Sequence, residues 1–246
     1  MESPKRLLYY RPEWTTGRYD SEHHAAIYYN LIEGISYFFE DESADVVGFI
    51  LNAGKNGAIS IYDISSKTGL TTNILSTFLQ ELENLNLIVA SKPTDEGIKK
   101  YRDAVSEWKK RNPIKLDKPT KEKLPFESSN AEMEYTNKVG GITSVMLELT
   151  YNCSEKCIHC YNVGAAHTEE DINRRDSIKG LNLEDYKNII DKFYAQGLFR
   201  VTLTGGDPFS NSLAWDIIDY LNKKEVAIDI LTNGQKLIDK EERLAY

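Results

Sequence analysis

All three cysteines of the chain fall inside eight residues, Cys153-Ser-Glu-Lys-Cys157-Ile-His-Cys160. At spacing C-x3-C-x2-C, three thiolates meet at one point only if the backbone wraps around it. The window supplies three ligands, whereas a cubane [4Fe–4S] cluster normally takes four cysteine thiolates. Three leave one iron open to a ligand that is not protein, and an open coordination position separates a reactive metal site from a structural one. Other readings fit less well. An odd cysteine count in a long, acidic, cysteine-poor chain argues against a disulfide framework. A Cys3His zinc site could recruit His159 or His167, but the distant second ligand pair usual for zinc is absent. A redox C-x-x-C built from Cys157 and Cys160 would leave Cys153 unexplained.

The rest of the composition sets the context for that window. At 246 residues the length suggests about two domains. Hydrophobic residues at 41% and charged residues at 28% are ordinary for a globular protein. The N-terminus lacks the apolar core of a signal peptide, and no apolar run approaches a membrane span. A cytoplasmic, reducing setting is expected, and it suits free thiolates or a cluster. The net charge of −8 argues against bulk nucleic-acid binding.

Residues 25–40 read as a hairpin, with two β-rich runs flanking Asn30 to Gly34. Residues 5–11 are a candidate third strand. Asp41 to Asn52 follows as a helix burying Val46, Val47, Phe49, Ile50 and Leu51. Ser60 to Lys67 reads as a short helix stopped by Gly69. Thr71 caps a longer helix to about Leu85, with Ile74, Leu75, Phe78, Leu79, Leu82 and Leu85 at helical spacing. Leu87 to Ala90 reads as a short strand or wing. This order is the winged helix-turn-helix pattern, which raises a DNA-binding regulator as one function. The stretch from Thr71 to Leu85 holds Glu81 and Glu83 and no Lys or Arg, so it cannot neutralise phosphates. The pattern over residues 5–92 also resembles the PqqD-like peptide-recognition domain. That resemblance implies a small winged helix fronted by a three-stranded sheet, to whose edge a leader peptide adds a strand.

Residues 93–140 are rich in Lys, Glu, Pro, Ser and Asn. They read as a linker, partly extended on the surface, with a charged helix at Tyr101 to Arg111 carrying Val105 and Trp108 on one face.

From Val145 a strand–loop–helix rhythm begins. Strands are expected at Val145 to Thr150, Arg200 to Thr204 and Val226 to Leu231, and helices at Leu183 to Gln196, Leu213 to Lys223 and from Lys236 on. Alternation of this kind implies parallel pairing with right-handed crossovers. Three unusual loops then follow the C-terminal ends of strands: the cysteine window, Gly205-Gly-Asp-Pro208, and Thr232-Asn-Gly234. Ligands bind at that end of parallel sheets. Gly205 and Gly206 permit close backbone approach, Asp207 offers a carboxylate to an ammonium group, and Pro208 fixes the turn. Glu148 and Thr202 share strand parity and so can point to the inside of a barrel.

Cys153, Cys157 and Cys160, then Gly205-Gly-Asp-Pro208, then Thr232-Asn-Gly234 together resemble the radical S-adenosylmethionine (SAM) superfamily. The stretch Leu149-Thr-Tyr-Asn-Cys153 and His159-Cys-Tyr-Asn162 looks most like its SPASM-type peptide maturases. The resemblance implies a [4Fe–4S] cluster on the three cysteines and SAM on its open iron. It places the SAM amino group on Gly205, Gly206, Asp207 and Pro208, His159 and Tyr161 near the adenine, and Asn233 among the cofactor contacts. Asp207 stands where Glu is commoner. The expected architecture is an α+β winged-helix domain (1–92), a linker (93–140) and an α/β domain (141–246) made of the first three βα units of a partial TIM-type radical SAM barrel. The implied function is modification of a ribosomally made precursor peptide, with an electron donor such as flavodoxin or ferredoxin. Alternatives are a radical SAM enzyme acting on another substrate and a zinc- or cluster-bearing winged-helix regulator. Such barrels usually have six βα units, so three call for completion by further chain or by a second polypeptide; the remaining reading is a degenerate product. Catalytic residues beyond the cofactor sites are not identified by the sequence.

Overall fold

The computed structural model describes residues 8–112, 127–161 and 180–238, with side chains of 127–129 left aside. The chain divides into two compact units, residues 1–140 and 141–246.

The first unit is built on a meander. Strands β2 (Thr15–Asp20), β3 (Ala25–Asn30) and β4 (Ile35–Glu40) pair antiparallel in the order β2-β3-β4. The β3–β4 hairpin matches the sequence reading, with Tyr28 opposite Tyr37 and Ala25 opposite Glu40. The third strand is a correction. Strand β1 (Leu8–Tyr10) does not join this sheet; it pairs with β5 (Ala58–Ser60), and Tyr10 bridges to Val89. The position in the meander is taken by β2, whose sequence Thr-Thr-Gly-Arg-Tyr-Asp carries little strand signal. Gly17 shows why it fits: a Cβ there would stand 2.4 Å from the Ile27 carbonyl oxygen.

Helices α1 (Asp41–Asn52), α2 (Ile61–Thr68) and α3 (Thr72–Asn84) follow at the expected places. Gly69 stops α2 in the left-handed region at φ 74°, and the Thr71 hydroxyl caps α3 by accepting from the Ile74 amide. Leu75, Leu79 and Leu82 are buried, while Ile74 stays 56% exposed. The stripe that enters the core is therefore narrower than the apolar spacing suggested. These leucines pack with Val46, Val47, Ile50, Ile59, Ile64, Ala26 and Tyr28 in one core.

The segment expected to be an extended linker contains two helices. Helix α4 runs Asp95–Arg111, capped by Thr94, and begins six residues before the expected charged helix. Helix α5 (Glu127–Val139) lies on the face of the meander opposite α1. Tyr135 is fully buried beside Phe38 at 6.4 Å between ring centres, and Ser36 Oγ donates to Glu132 Oε1 at 2.9 Å. With α1 on one face and α5 on the other, all six residues of β3 are buried.

The second unit is a three-stranded parallel sheet, β6 (Ser144–Thr150), β7 (Arg200–Gly205) and β8 (Ala227–Ile230), in chain order. Helices α6 (Leu183–Ala195) and α7 (Ala214–Lys223) connect the strands. Asn182 and Asp185 form a reciprocal capping box at the start of α6. Both helices pack on one face: Tyr186, Ile190, Ile217 and Leu221 meet Val145, Leu147, Val201, Leu203, Ile228 and Ile230. Right-handed crossovers place both helices on the same side of an unswitched parallel sheet. Glu148 and Thr202 lie on the other face, as their parity implies. Of the third helix expected from Lys236 on, the described residues show a 3-10 turn at Gln235–Leu237; the rest of that segment lies outside the described residues.

Candidate cofactor site at the strand ends

The parallel sheet delivers three loops to one edge, and hydrogen bonds knit them together. The cysteine loop leaves β6 through a bulge between Glu148 and Thr150. Asn211 supports that exit by donating to the Leu149 carbonyl at 2.7 Å. The Gly205–Pro208 loop then runs against it: the Gly206 amide donates to Thr150 O at 2.6 Å and the Asp207 amide to Asn152 O at 2.8 Å. This contact explains both glycines. A Cβ at Gly205 would stand 2.1 Å from the Thr150 oxygen, and one at Gly206 2.4 Å from the Asn152 oxygen; Gly205 also holds φ at 126°. The close approach these glycines allow is first of all between the two loops.

Asp207 is 0% exposed. The Thr232 hydroxyl donates to its Oδ1 at 2.6 Å. Its Oδ2 is equally buried and has no hydrogen-bond partner among the described residues. A buried carboxylate oxygen left without a donor is costly, so its retention marks a place for one. An ammonium group is one donor that would suit that oxygen, through a charge-assisted hydrogen bond.

The third loop closes on the first. Thr232 Oγ1 accepts from the Gly234 amide at 3.1 Å, and Asn233 Oδ1 accepts from the Gln235 amide at 2.9 Å. Asn233 Nδ2 then reaches the Cys153 sulfur at 3.6 Å. Ser154 Oγ donates to Gln235 Oε1 at 2.9 Å, and Gln235 Nε2 donates to Glu155. Tyr161, at the far end of the window, shares a hydrogen bond with Thr204 Oγ1 at 2.7 Å, while His159 is exposed in the turn. Pro208 is buried and opens a 3-10 turn, Pro208–Ser210. So Cys153, Asn233, Asp207, Gly205 and Gly206 stand in one connected set. Thr232, Asn152, Thr204 and Gln235 belong to it as well. Only the loop around Thr232 was signalled in the sequence, by its place after a strand.

The donor set fits an iron–sulfur cluster in kind. The three cysteines are free thiols on one short loop. Cys153 already accepts two N–H groups, from the Glu155 amide at 3.4 Å and from Asn233. Among the described residues no three His, Cys, Asp or Glu side chains stand close enough to hold a metal ion. The site has the three cysteine donors on one loop and the orphan acceptor on Asp207. Among the described residues no helix is long and apolar enough to cross a membrane.

A parallel βα sheet bearing this loop set defines a class, and residues 147–246 match the radical SAM superfamily. The match spans most of the C-terminal unit, and the superfamily is one that works with a [4Fe–4S] cluster and SAM. Among curated relatives, the chain is 31% identical over 90 residues to mycofactocin maturase MftC of Mycolicibacterium smegmatis. It is also 31% identical over 87 residues to the antilisterial bacteriocin subtilosin biosynthesis protein AlbA of Bacillus subtilis. The matches cover 37% and 35% of this chain and 21% and 17% of those relatives. The chain thus spans about a fifth of the length of the curated relatives it matches. Among solved structures, Streptococcus suis SuiB, crystallised with its precursor peptide SuiA, is similar over 96% of this chain and 45% of its own, at 16% identity and a TM-score of 0.46.

Proposed function

We propose that the chain works as part of a cytoplasmic radical SAM enzyme that modifies a ribosomally made precursor peptide. The observation that carries the cofactor half of this reading is Asp207, a buried carboxylate with one unpartnered oxygen, hydrogen-bonded through its loop to the backbone that carries the cysteines. Cys153, Cys157 and Cys160 would hold the cluster. Asp207 would receive the SAM ammonium group, with the Gly205–Pro208 backbone around it. Tyr161 and His159 would line the adenine side. When bound, the pair of cofactors supplies reductive cleavage of SAM to methionine and a 5′-deoxyadenosyl radical, which takes hydrogen from substrate. The protein's part is ligation, orientation and exclusion of water. A one-electron donor such as flavodoxin or ferredoxin would reduce the cluster.

For the peptide half, the names of the relatives, a maturase and a bacteriocin biosynthesis protein, point to maturation of a gene-encoded product. The first unit fits a winged helix with a leading three-stranded sheet. Its edge strand β4 reaches α3 through Phe39 and Phe78, whose rings stand 6.0 Å apart edge to face. A leader peptide would add a strand along β4 and pack against α3.

The test is electron paramagnetic resonance of the reduced, reconstituted chain before and after SAM is added. SAM on the open iron changes the signal. A cluster signal that ignores SAM would refute the SAM site while leaving the cluster in place.

A further inference from the structure

Asn233 brings a side-chain amide of the third loop to a sulfur of the cysteine loop. An asparagine amide can be turned either way, but here its neighbours decide. Oδ1 accepts from the Gln235 amide at 2.9 Å, which leaves Nδ2, the donor end, facing Cys153 Sγ at 3.6 Å and Ser154 Oγ at 3.4 Å. The position is held on both sides. On one, Thr232 is fixed by its bonds to Asp207 Oδ1 at 2.6 Å and from the Gly234 amide at 3.1 Å. On the other, Gln235 is pinned to Ser154 and Glu155. The loop thus presents one hydrogen-bond donor to one sulfur and holds it there.

We propose that Asn233 is a positioning residue that donates a hydrogen bond to the Cys153 sulfur and thereby raises the reduction potential of the cluster on that cysteine. This rests on the proposed role of Cys153 as a cluster ligand. A donor to a ligating sulfur draws electron density from it and stabilises the reduced, more negative cluster more than the oxidised one. Reduction adds one electron to the 2+ cluster and gives the 1+ cluster, with no bond made or broken. The second donor to this sulfur is the Glu155 backbone amide, which side-chain substitution leaves in place. Asn233 is therefore the adjustable part of the sulfur's environment.

The experiment is an anaerobic dithionite titration of the reconstituted full chain, followed by the cluster absorbance, in wild type, Asn233→Ala and Asn233→Asp. Asn233→Asp keeps the acceptor for the Gln235 amide, removes the donor and adds a negative charge. Both variants are expected to keep the wild-type iron content and to show a more negative midpoint, Asn233→Asp by the larger shift. A wild-type midpoint in both, with iron retained, overturns the inference and leaves the cluster reading intact. Loss of iron in both variants also overturns it, since Asn233 would then serve assembly. A wild-type chain that takes up no iron refutes the reading underneath.

Discussion

The two sheets of this chain solve opposite problems. The β2–β4 meander is covered on both faces, and every residue of β3 is buried. Among the described residues of the second unit the β6–β8 sheet is covered on one face, and three of the four residues of β8 remain partly exposed. Polar groups differ in the same way. In the first unit several end in internal bonds: Arg11 donates to Leu51 O at 2.7 Å, and the Tyr28 hydroxyl to Leu87 O at 2.8 Å. Tyr19 donates to Asp45 Oδ1 at 2.5 Å, and its pKa is pushed up to about 12 by burial and then by that carboxylate. In the second unit the buried Asp207 keeps an oxygen in reserve. What sets Asp207 apart is that its unpartnered oxygen belongs to a carboxylate, at the strand ends where three loops meet.

This contrast can be broken by substitutions in each unit. The largest expected effect on stability is in the first. Leu79→Ala empties a fully buried position between α3 and the strands, at a cost of about 2–5 kcal/mol. Thermal unfolding should show that loss while iron uptake by the reconstituted chain stays at the wild-type level. A smaller effect is expected in the second unit. Thr232→Val leaves both oxygens of Asp207 without the hydroxyl donor and should cost about 1–3 kcal/mol in chemical denaturation. Thr232→Ser, which keeps the hydroxyl, should restore most of it. If Thr232→Val were neutral and Leu79→Ala lowered iron uptake, the division between the unit with the filled core and the unit with the cofactor site would fail.

Much of this was legible in the residues, for identifiable reasons. Gly69 and Thr71 punctuate α2 and α3, and the Tyr-rich runs around Asn30 to Gly34 announce the β3–β4 hairpin. The βα rhythm from Val145 onward set all three special loops at one edge before any side chain was placed. What escaped notice depends on tertiary context. Strand β2 has a polar, glycine-containing sequence and is a strand because β3 offers it a partner. Helix α5 was hidden in a segment of linker-like composition, and it is held by Tyr135 under Phe38 rather than by a strong apolar stripe. The bond from Thr232 to Asp207 joins side chains 25 positions apart, and no periodicity encodes such a link.

The most direct test of the account is anaerobic reconstitution of the full chain beside a variant with Cys153, Cys157 and Cys160 all changed to alanine. The wild type should bind about four irons per chain and absorb near about 400 nm, and the variant should do neither. Bound zinc without iron in the wild type, or equal iron in the variant, would contradict it.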